Sequence, residues 1–183
     1  MNIVVAVTAA SGAIYARLTL ESLLRCAGVE RIALIYSDNA PSVAACEGVT
    51  MPHDDRITVY ANDDLFAPPA SGSSRYDAMI VVPCSTGTLG RIASGVSQSL
   101  IERSADVMLK ERRPLVLALR EAPYSLVHLR NMAAVTECGA VVVPASPSFY
   151  RCPKDIDELC MSVVERLLQH AGIDYPRYEW TGR

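Results

Sequence analysis

The run Ile3-Val4-Val5-Ala6-Val7-Thr8 opens the chain with consecutive apolar, mostly β-branched side chains. That pattern belongs to a strand buried on both faces of a parallel sheet. The small residues Ala9-Ala10-Ser11-Gly12-Ala13 follow, and then Ile14, Leu18, Leu20, Leu23 and Leu24 fall at helical spacing. A strand, a tight turn and a helix N-terminus together present free N–H groups and the positive end of a helix dipole to a ligand. The turn lacks Gly-x-Gly-x-x-Gly, so it is not the dinucleotide fingerprint, and no Gly-Lys-Ser/Thr makes it a P-loop. It suits a phosphate without naming the molecule that carries it. The alternative is a turn kept small only for close helix–strand packing.

Strand-like and helix-like runs alternate through the rest of the chain. Arg31 to Tyr36 reads as a second strand, and Ser37-Asp38-Asn39 supplies cap chemistry for a helix through Glu47. Gly48 to Ser74 is polar and rich in Pro and Gly, a long functional loop with one short strand at Ile57 to Tyr60. Ala78 to Val82, stopped by Pro83, then Leu115 to Leu119 and Ala140 to Val143 complete five main strands. The intervening helices are predicted at Thr88 to Ser97, Leu100 to Lys110, Ser125 to Cys138 and Ile156 to Ala171. Such alternation predicts a doubly wound parallel α/β sheet in a single domain, residues 1–183, with ligands beyond the carboxyl ends of the strands.

Composition narrows the function. Half of the 183 residues are hydrophobic and 20% are charged, a balance that predicts apolar surface hidden in a homo-oligomer. A net charge of −3 weighs against a general nucleic-acid binder. No segment approaches the roughly 18 apolar residues of a membrane span, and the N-terminus has no signal-peptide pattern. The six cysteines, Cys26, Cys46, Cys84, Cys138, Cys152 and Cys160, have no Cys-x-x-Cys spacing. They read as reduced thiols of a cytoplasmic protein without zinc.

The doubly wound geometry brings the residues after each strand to one crevice: Thr8 to Gly12, Ser37-Asp38, Pro83 to Thr88, Arg120-Glu121 and Pro144 to Tyr150. Ser85-Thr86-Gly87-Thr88 opens a helix and can cradle part of a ligand with hydroxyls and N–H groups. Arg120 ends a wholly apolar strand, where a guanidinium needs an anion or a carboxylate. The simpler reading is a pair with Glu121. His53, His128 and His170 lie in unrelated contexts, and Cys84 reads as a small buried residue after Pro83.

Ala10-Ser11-Gly12-Ala13, Ala67-Pro68-Pro69-Ala70-Ser71-Gly72-Ser73, Pro83-Cys84-Ser85, Ala105-Asp106-Val107, Leu109-Lys110-Glu111-Arg112-Arg113-Pro114-Leu115-Val116, Arg120-Glu121-Ala122-Pro123 and Phe149-Tyr150 occur in this order. This series resembles the flavin prenyltransferase family (UbiX-type), formerly described as 3-polyprenyl-4-hydroxybenzoate or phenolic acid decarboxylases, over nearly the whole chain. The resemblance implies a flavodoxin-like fold, FMN in its reduced form as substrate, and no metal. It implies transfer of a dimethylallyl group from dimethylallyl phosphate to N5 and C6 of the flavin. The prenylated FMN then passes to a partner decarboxylase of ubiquinone synthesis or aromatic acid breakdown. It implies a dodecamer, and FMN held by Ala9, Ala10, Ser11, Ser37, Ser85, Thr86, Gly87, Thr88 and Arg120. The prenyl phosphate would meet Lys110, Arg120, Tyr150 and Arg166. Glu121 would be the acid/base group, with Glu47 and Ser11 beside it in the catalytic set.

Each residue also has a plainer reading. Lys110 ends a helix, where a cation complements the dipole; Arg166 and Glu165 can be a solvated helix face; Tyr150 can be a packing aromatic; Glu47 can be a surface residue. Ala9 stands where the family usually has Gly, and Arg151-Cys152 stands where it commonly has His and Gln. Tyr178-Glu179-Trp180 does not align with the family's C-terminal aromatic. Two rival functions follow: a flavin-dependent cysteine decarboxylase of the same superfamily, which would need a catalytic His, and a non-catalytic FMN carrier, which would not need the cationic cluster.

Overall fold

The computed structural model of the chain describes residues 1–176; Tyr178, Glu179 and Trp180 lie outside them. Six strands form one sheet: β1 (Asn2–Val7), β2 (Arg31–Tyr36), β3 (Ile57–Tyr60), β4 (Ala78–Cys84), β5 (Leu115–Leu119) and β6 (Val141–Pro144). The helices are α1 (Ala13–Arg25), α2 (Ala40–Cys46), α3 (Thr86–Ala93), α4 (Leu100–Lys110), α5 (Leu126–Glu137) and α6 (Ile156–His170). The strand order is β3-β2-β1-β4-β5-β6, and every pairing is parallel. The five expected main strands keep the flavodoxin-like order among themselves, with the first strand flanked by the second on one side and the next on the other. The short strand of the long loop joins as the sixth, at the edge, pairing Ile32 with Ile57 and Ile35 with Tyr60.

Alternation along the buried strands divides the core into two layers. Ile3, Val5 and Val7 of β1 pack with Leu20 and Leu23 of α1 and with Val163, Val164 and Leu167 of α6. Val4 and Ala6 face the other way, toward Leu89 of α3 and Leu100 and Met108 of α4. Local chemistry sets the helix starts. Ser99 and Glu102 close a reciprocal capping box on α4, and the Asp155 carboxylate accepts from Glu158 N at the start of α6.

Several boundaries depart from expectation, most by one residue, but α3 runs from Thr86 to Ala93 instead of from Thr88 to Ser97, ending ahead of Gly95 at φ +69. β4 does not stop at Pro83 but runs through it to Cys84, with a shift in its pairing to β5 between Val81 and Cys84. The missing Pro83 N–H is tolerated at that irregularity, while the Pro83 carbonyl accepts both the backbone N–H and the hydroxyl of Thr8. Among the described residues no helix is long and apolar enough to cross a membrane.

Candidate functional site

The order of the sheet reverses between β1 and β4, so the crevice for a ligand opens beyond their carboxyl ends. Buried Thr8 fixes this opening. Its hydroxyl donates to Pro83 O (2.8 Å) and accepts from Ser85 N (2.8 Å), tying the end of β1 to the start of α3. Ser37 N donates to Val7 O (2.9 Å), which brings the end of β2 to the same place. Arg120 N donates to Cys84 O (3.1 Å) and carries β5 in from the other side.

The turn after β1 holds the main surprise. Gly12, the N-cap of α1, has φ +106, a left-handed value that glycine adopts without strain, and a Cβ there would lie 2.9 Å from the Tyr15 ring. The N–H groups of Gly12 and Ala13 do not wait for a phosphate. They donate to the Glu47 carboxylate at 2.9 and 2.7 Å. Burial pushes the Glu47 carboxyl up, but hydrogen bonds from Ser11, Gly12 and Ala13 and the charge of Arg120 together outweigh it and hold the group below its ordinary range. The expected anion site at α1 is therefore filled by the chain's own carboxylate. The family resemblance puts Glu47 at the site with Ser11, and the structure does bring the two together. That the carboxylate also caps α1 is not visible in local pattern, because Glu47 comes from the end of α2.

The turn after β4 is the one left for an external anion. Ser85 caps α3, its hydroxyl accepting from Thr88 N (3.2 Å) and bonding Thr88 Oγ1 (3.1 Å). The first-turn N–H groups of Thr86 and Gly87 have no acceptor within the helix. Ser37 Oγ is buried without a hydrogen-bond partner, and Arg120 has no salt-bridge partner among the described residues. A buried orphan hydroxyl, an unpaired guanidinium and open helix N–H groups fit the phosphate and polar edge of a flavin. Arg120 is thus not paired with Glu121. Instead Glu121 accepts from Thr86 Oγ1 (3.3 Å) and Ala122 N (3.0 Å), which turns its carboxylate toward the N-terminus of α3.

Tyr150 and Arg166 lie on the β6 side, Tyr150 in the exposed loop after that strand and Arg166 on α6. Arg166 lines a cavity of about 370 Å3 with Ser146, Ser148 and Arg151, and its guanidinium donates to Gln169 Oε1 (2.6 Å). Lys110 is not brought to this group. It closes α4 beside Arg112, Arg113 and Pro114, lining a cavity of about 950 Å3 at the amino ends of the strands. The length of β5, five residues or roughly 16 Å at a strand's rise, separates it from the Arg120 end. Its ammonium pairs with Glu111.

Other candidates take structural roles. Cys84 is fully buried and burial pushes its thiol up to about 12, so it stays protonated. His128 Nδ1 accepts from Ser125 N (3.2 Å) in the capping box of α5. Arg151 and Glu165, absent from the expected site, form a two-point ion pair at 2.6 Å. No single-position signal could have matched residues on a loop and a helix.

A doubly wound sheet with an anion-ready crevice at its switch point defines an α/β protein of the nucleotide- and flavin-binding kind. The sequence model of the Flavoprotein family matches residues 1–170. A flavin prenyltransferase UbiX from Methanocaldococcus jannaschii is 43% identical over 177 residues, covering 95% of this chain and 95% of that one. The UbiX of Pseudomonas aeruginosa is 53% identical over 118 residues, a match spanning 64% of this chain and 56% of that relative. The chain belongs to the Flavoprotein family and, within it, to the flavin prenyltransferases. Among solved structures, AnUbiX (PadA1) in complex with FMN and dimethylallyl pyrophosphate superposes with a TM-score of 0.90 at 42% identity, covering 99% of this chain and 98% of that one. A dodecameric FMN-dependent UbiX-like decarboxylase from Escherichia coli O157:H7 does so at 0.89 and 36%, over 98% of this chain and 100% of that one.

Proposed function

We propose that this chain transfers a dimethylallyl group from dimethylallyl phosphate to N5 and C6 of reduced FMN, and that the prenylated flavin passes to a partner decarboxylase. The observation that carries the reading is the unpaired Arg120 guanidinium at the carboxyl end of β5, with Glu121 hydrogen-bonded to the phosphate turn on one side and Glu47 held under Arg120's charge on the other. Membership of the flavin prenyltransferases supplies the reaction class, and the FMN and dimethylallyl pyrophosphate complex of AnUbiX supplies the ligand chemistry.

In this reading Ala9, Ala10, Ser11, Ser37, Arg120 and the Ser85-Thr86-Gly87-Thr88 turn hold FMN, whose phosphate lies on the α3 N-terminus rather than on α1. The flavin supplies the nucleophile. Arg120, Tyr150 and Arg166 bind the phosphate of the donor. When the allylic C–O bond breaks, the electron pair leaves with the phosphate, and these fixed donors take up the growing negative charge. Glu121 moves the proton that ring closure requires, and Glu47 with Ser11 holds the turn against which the flavin rests. Lys110 joins the donor site from a neighbouring copy, because the length of β5 lies between it and Arg120 within one chain. A homo-oligomer, in our reading a dodecamer acting in the cytoplasm, meets that need; the dodecameric neighbour and the apolar residues exposed on α5 support it.

The test is anaerobic incubation with reduced FMN and either dimethylallyl phosphate or dimethylallyl pyrophosphate, followed by mass spectrometry of the released flavin. A flavin heavier by one isoprenoid unit with the monophosphate is expected. Unchanged flavin with both donors would refute the proposal.

A further inference from the structure

The loop after β6 is fastened to a single stripe of α6. Glu158, Ser162, Glu165 and Arg166 lie at offsets of four, seven and eight residues, one face of a helix. Lys154 N donates to Glu158 Oε2 (2.8 Å), and Ser148 N donates to Ser162 Oγ (3.0 Å), whose own hydroxyl donates to Leu159 O (2.7 Å). Between them Arg151 meets Glu165 through two parallel bonds of 2.6 Å each. Cys152 N closes the intervening turn on Phe149 O (3.0 Å), with Cys152 itself at φ +51. Tyr150 precedes Arg151 in that turn and Arg166 follows Glu165 on the helix, so the ion pair joins the immediate neighbours of both donor-site candidates. Arg151 and Arg166 line the same cavity of about 370 Å3.

We propose that the Arg151–Glu165 pair is a positioning strap that holds the Tyr150 turn against the Arg166 face of α6 and so pre-forms the donor-phosphate half of the site. This rests on the prenyl-transfer reading given above. A forked guanidinium–carboxylate pair fixes orientation as well as distance, and with side chains 31% and 12% exposed it is shielded better than a pair on the open surface. It also sets Glu165's charge against Arg151's, and among the described lining residues Arg166 is the cation that no carboxylate pairs. Neither Arg151 nor Glu165 is assigned contact with the reacting atoms. Both act through their neighbours.

The test compares Arg151→Ala, Glu165→Ala, the double alanine variant and the charge swap Arg151→Glu/Glu165→Arg. In each, KM for dimethylallyl phosphate and kcat are measured at saturating reduced FMN, together with FMN affinity and backbone amide exchange over residues 148–152. Each single variant should raise donor KM about fivefold or more, with kcat and FMN affinity within about twofold of wild type. The double alanine variant should be no worse than the worse single variant, and the swap should recover most of the loss. Exchange over 148–152 should quicken in both single variants. Unchanged KM, multiplicative losses in the double variant, or a parallel loss of FMN affinity would overturn the strap. If wild type itself forms no prenylated flavin, the functional reading fails, and the strap is then judged by exchange alone: unaltered exchange in Arg151→Ala refutes it.

Discussion

Glu47 fills the anion site that the turn after β1 and the N-terminus of α1 would otherwise offer to a phosphate. Its carboxylate satisfies the N–H groups of Gly12 and Ala13 and feels the charge of Arg120, so one residue closes a helix end and orders the turn after β1. Because its folded pKa lies below the ordinary carboxylate range, its contribution to stability is fully present above that range. It is lost as pH falls through the lowered folded value. Glu47→Gln removes that titration. Between about pH 6 and about pH 3 the thermal midpoint of wild type should therefore fall more steeply than that of Glu47→Gln; coincident curves would show that the carboxylate is not held as described. Arg166→Ala should raise KM for dimethylallyl phosphate while leaving FMN affinity near wild type, and an equal loss of both in titrations would place Arg166 outside the donor site.

The elements show what sequence could and could not supply. β2, β5 and α4 have the bounds their patterns predict, because an unbroken apolar run between polar ends, or a Ser99/Glu102 cap, is a local signal. The strand-end rule likewise brought Ser85 to Thr88, Arg120 and Glu121 together. Lys110 is legible in a different way, since the predicted end of α4 just before β5 already sets it at the amino end of the sheet, away from Arg120. Contacts between distant pieces leave no local signal: only the family resemblance puts Glu47 beside Ser11, and nothing points to Arg151 meeting Glu165. Pro83 misled for a related reason, since an irregularity in pairing lets β4 continue past it. The α3 start carries its own test. Ser85→Ala loses the acceptor for Thr88 N, which costs about 1 kcal/mol for an N-cap serine. It should weaken FMN more than riboflavin, because only FMN has the phosphate that the turn would hold. Equal weakening of both in dialysis would mean the phosphate lies elsewhere.

At the scale of the molecule, α5 buries Val135 alone, while Leu126, Val127 and Leu129 are 60%, 61% and 50% exposed. Such a patch belongs in an interface between copies, and Leu126→Glu with Leu129→Glu should lower the mass seen by light scattering. The position of Lys110 adds a sharper expectation. Lys110→Ala and Arg120→Ala, each nearly inactive alone, should regain activity when co-assembled, because some sites then draw a native residue from each chain; no recovery would mean that Lys110 serves no neighbour's site. The most direct measurement of all is single-turnover formation of prenylated flavin under anaerobic conditions, wild type beside Glu121→Gln, with FMN affinity titrated for both. Wild type should convert reduced FMN with release of phosphate, and Glu121→Gln should be slower by roughly a hundredfold or more at near-native FMN affinity. Wild type that leaves the flavin unchanged, or a Glu121→Gln variant at the wild-type rate, would contradict the account.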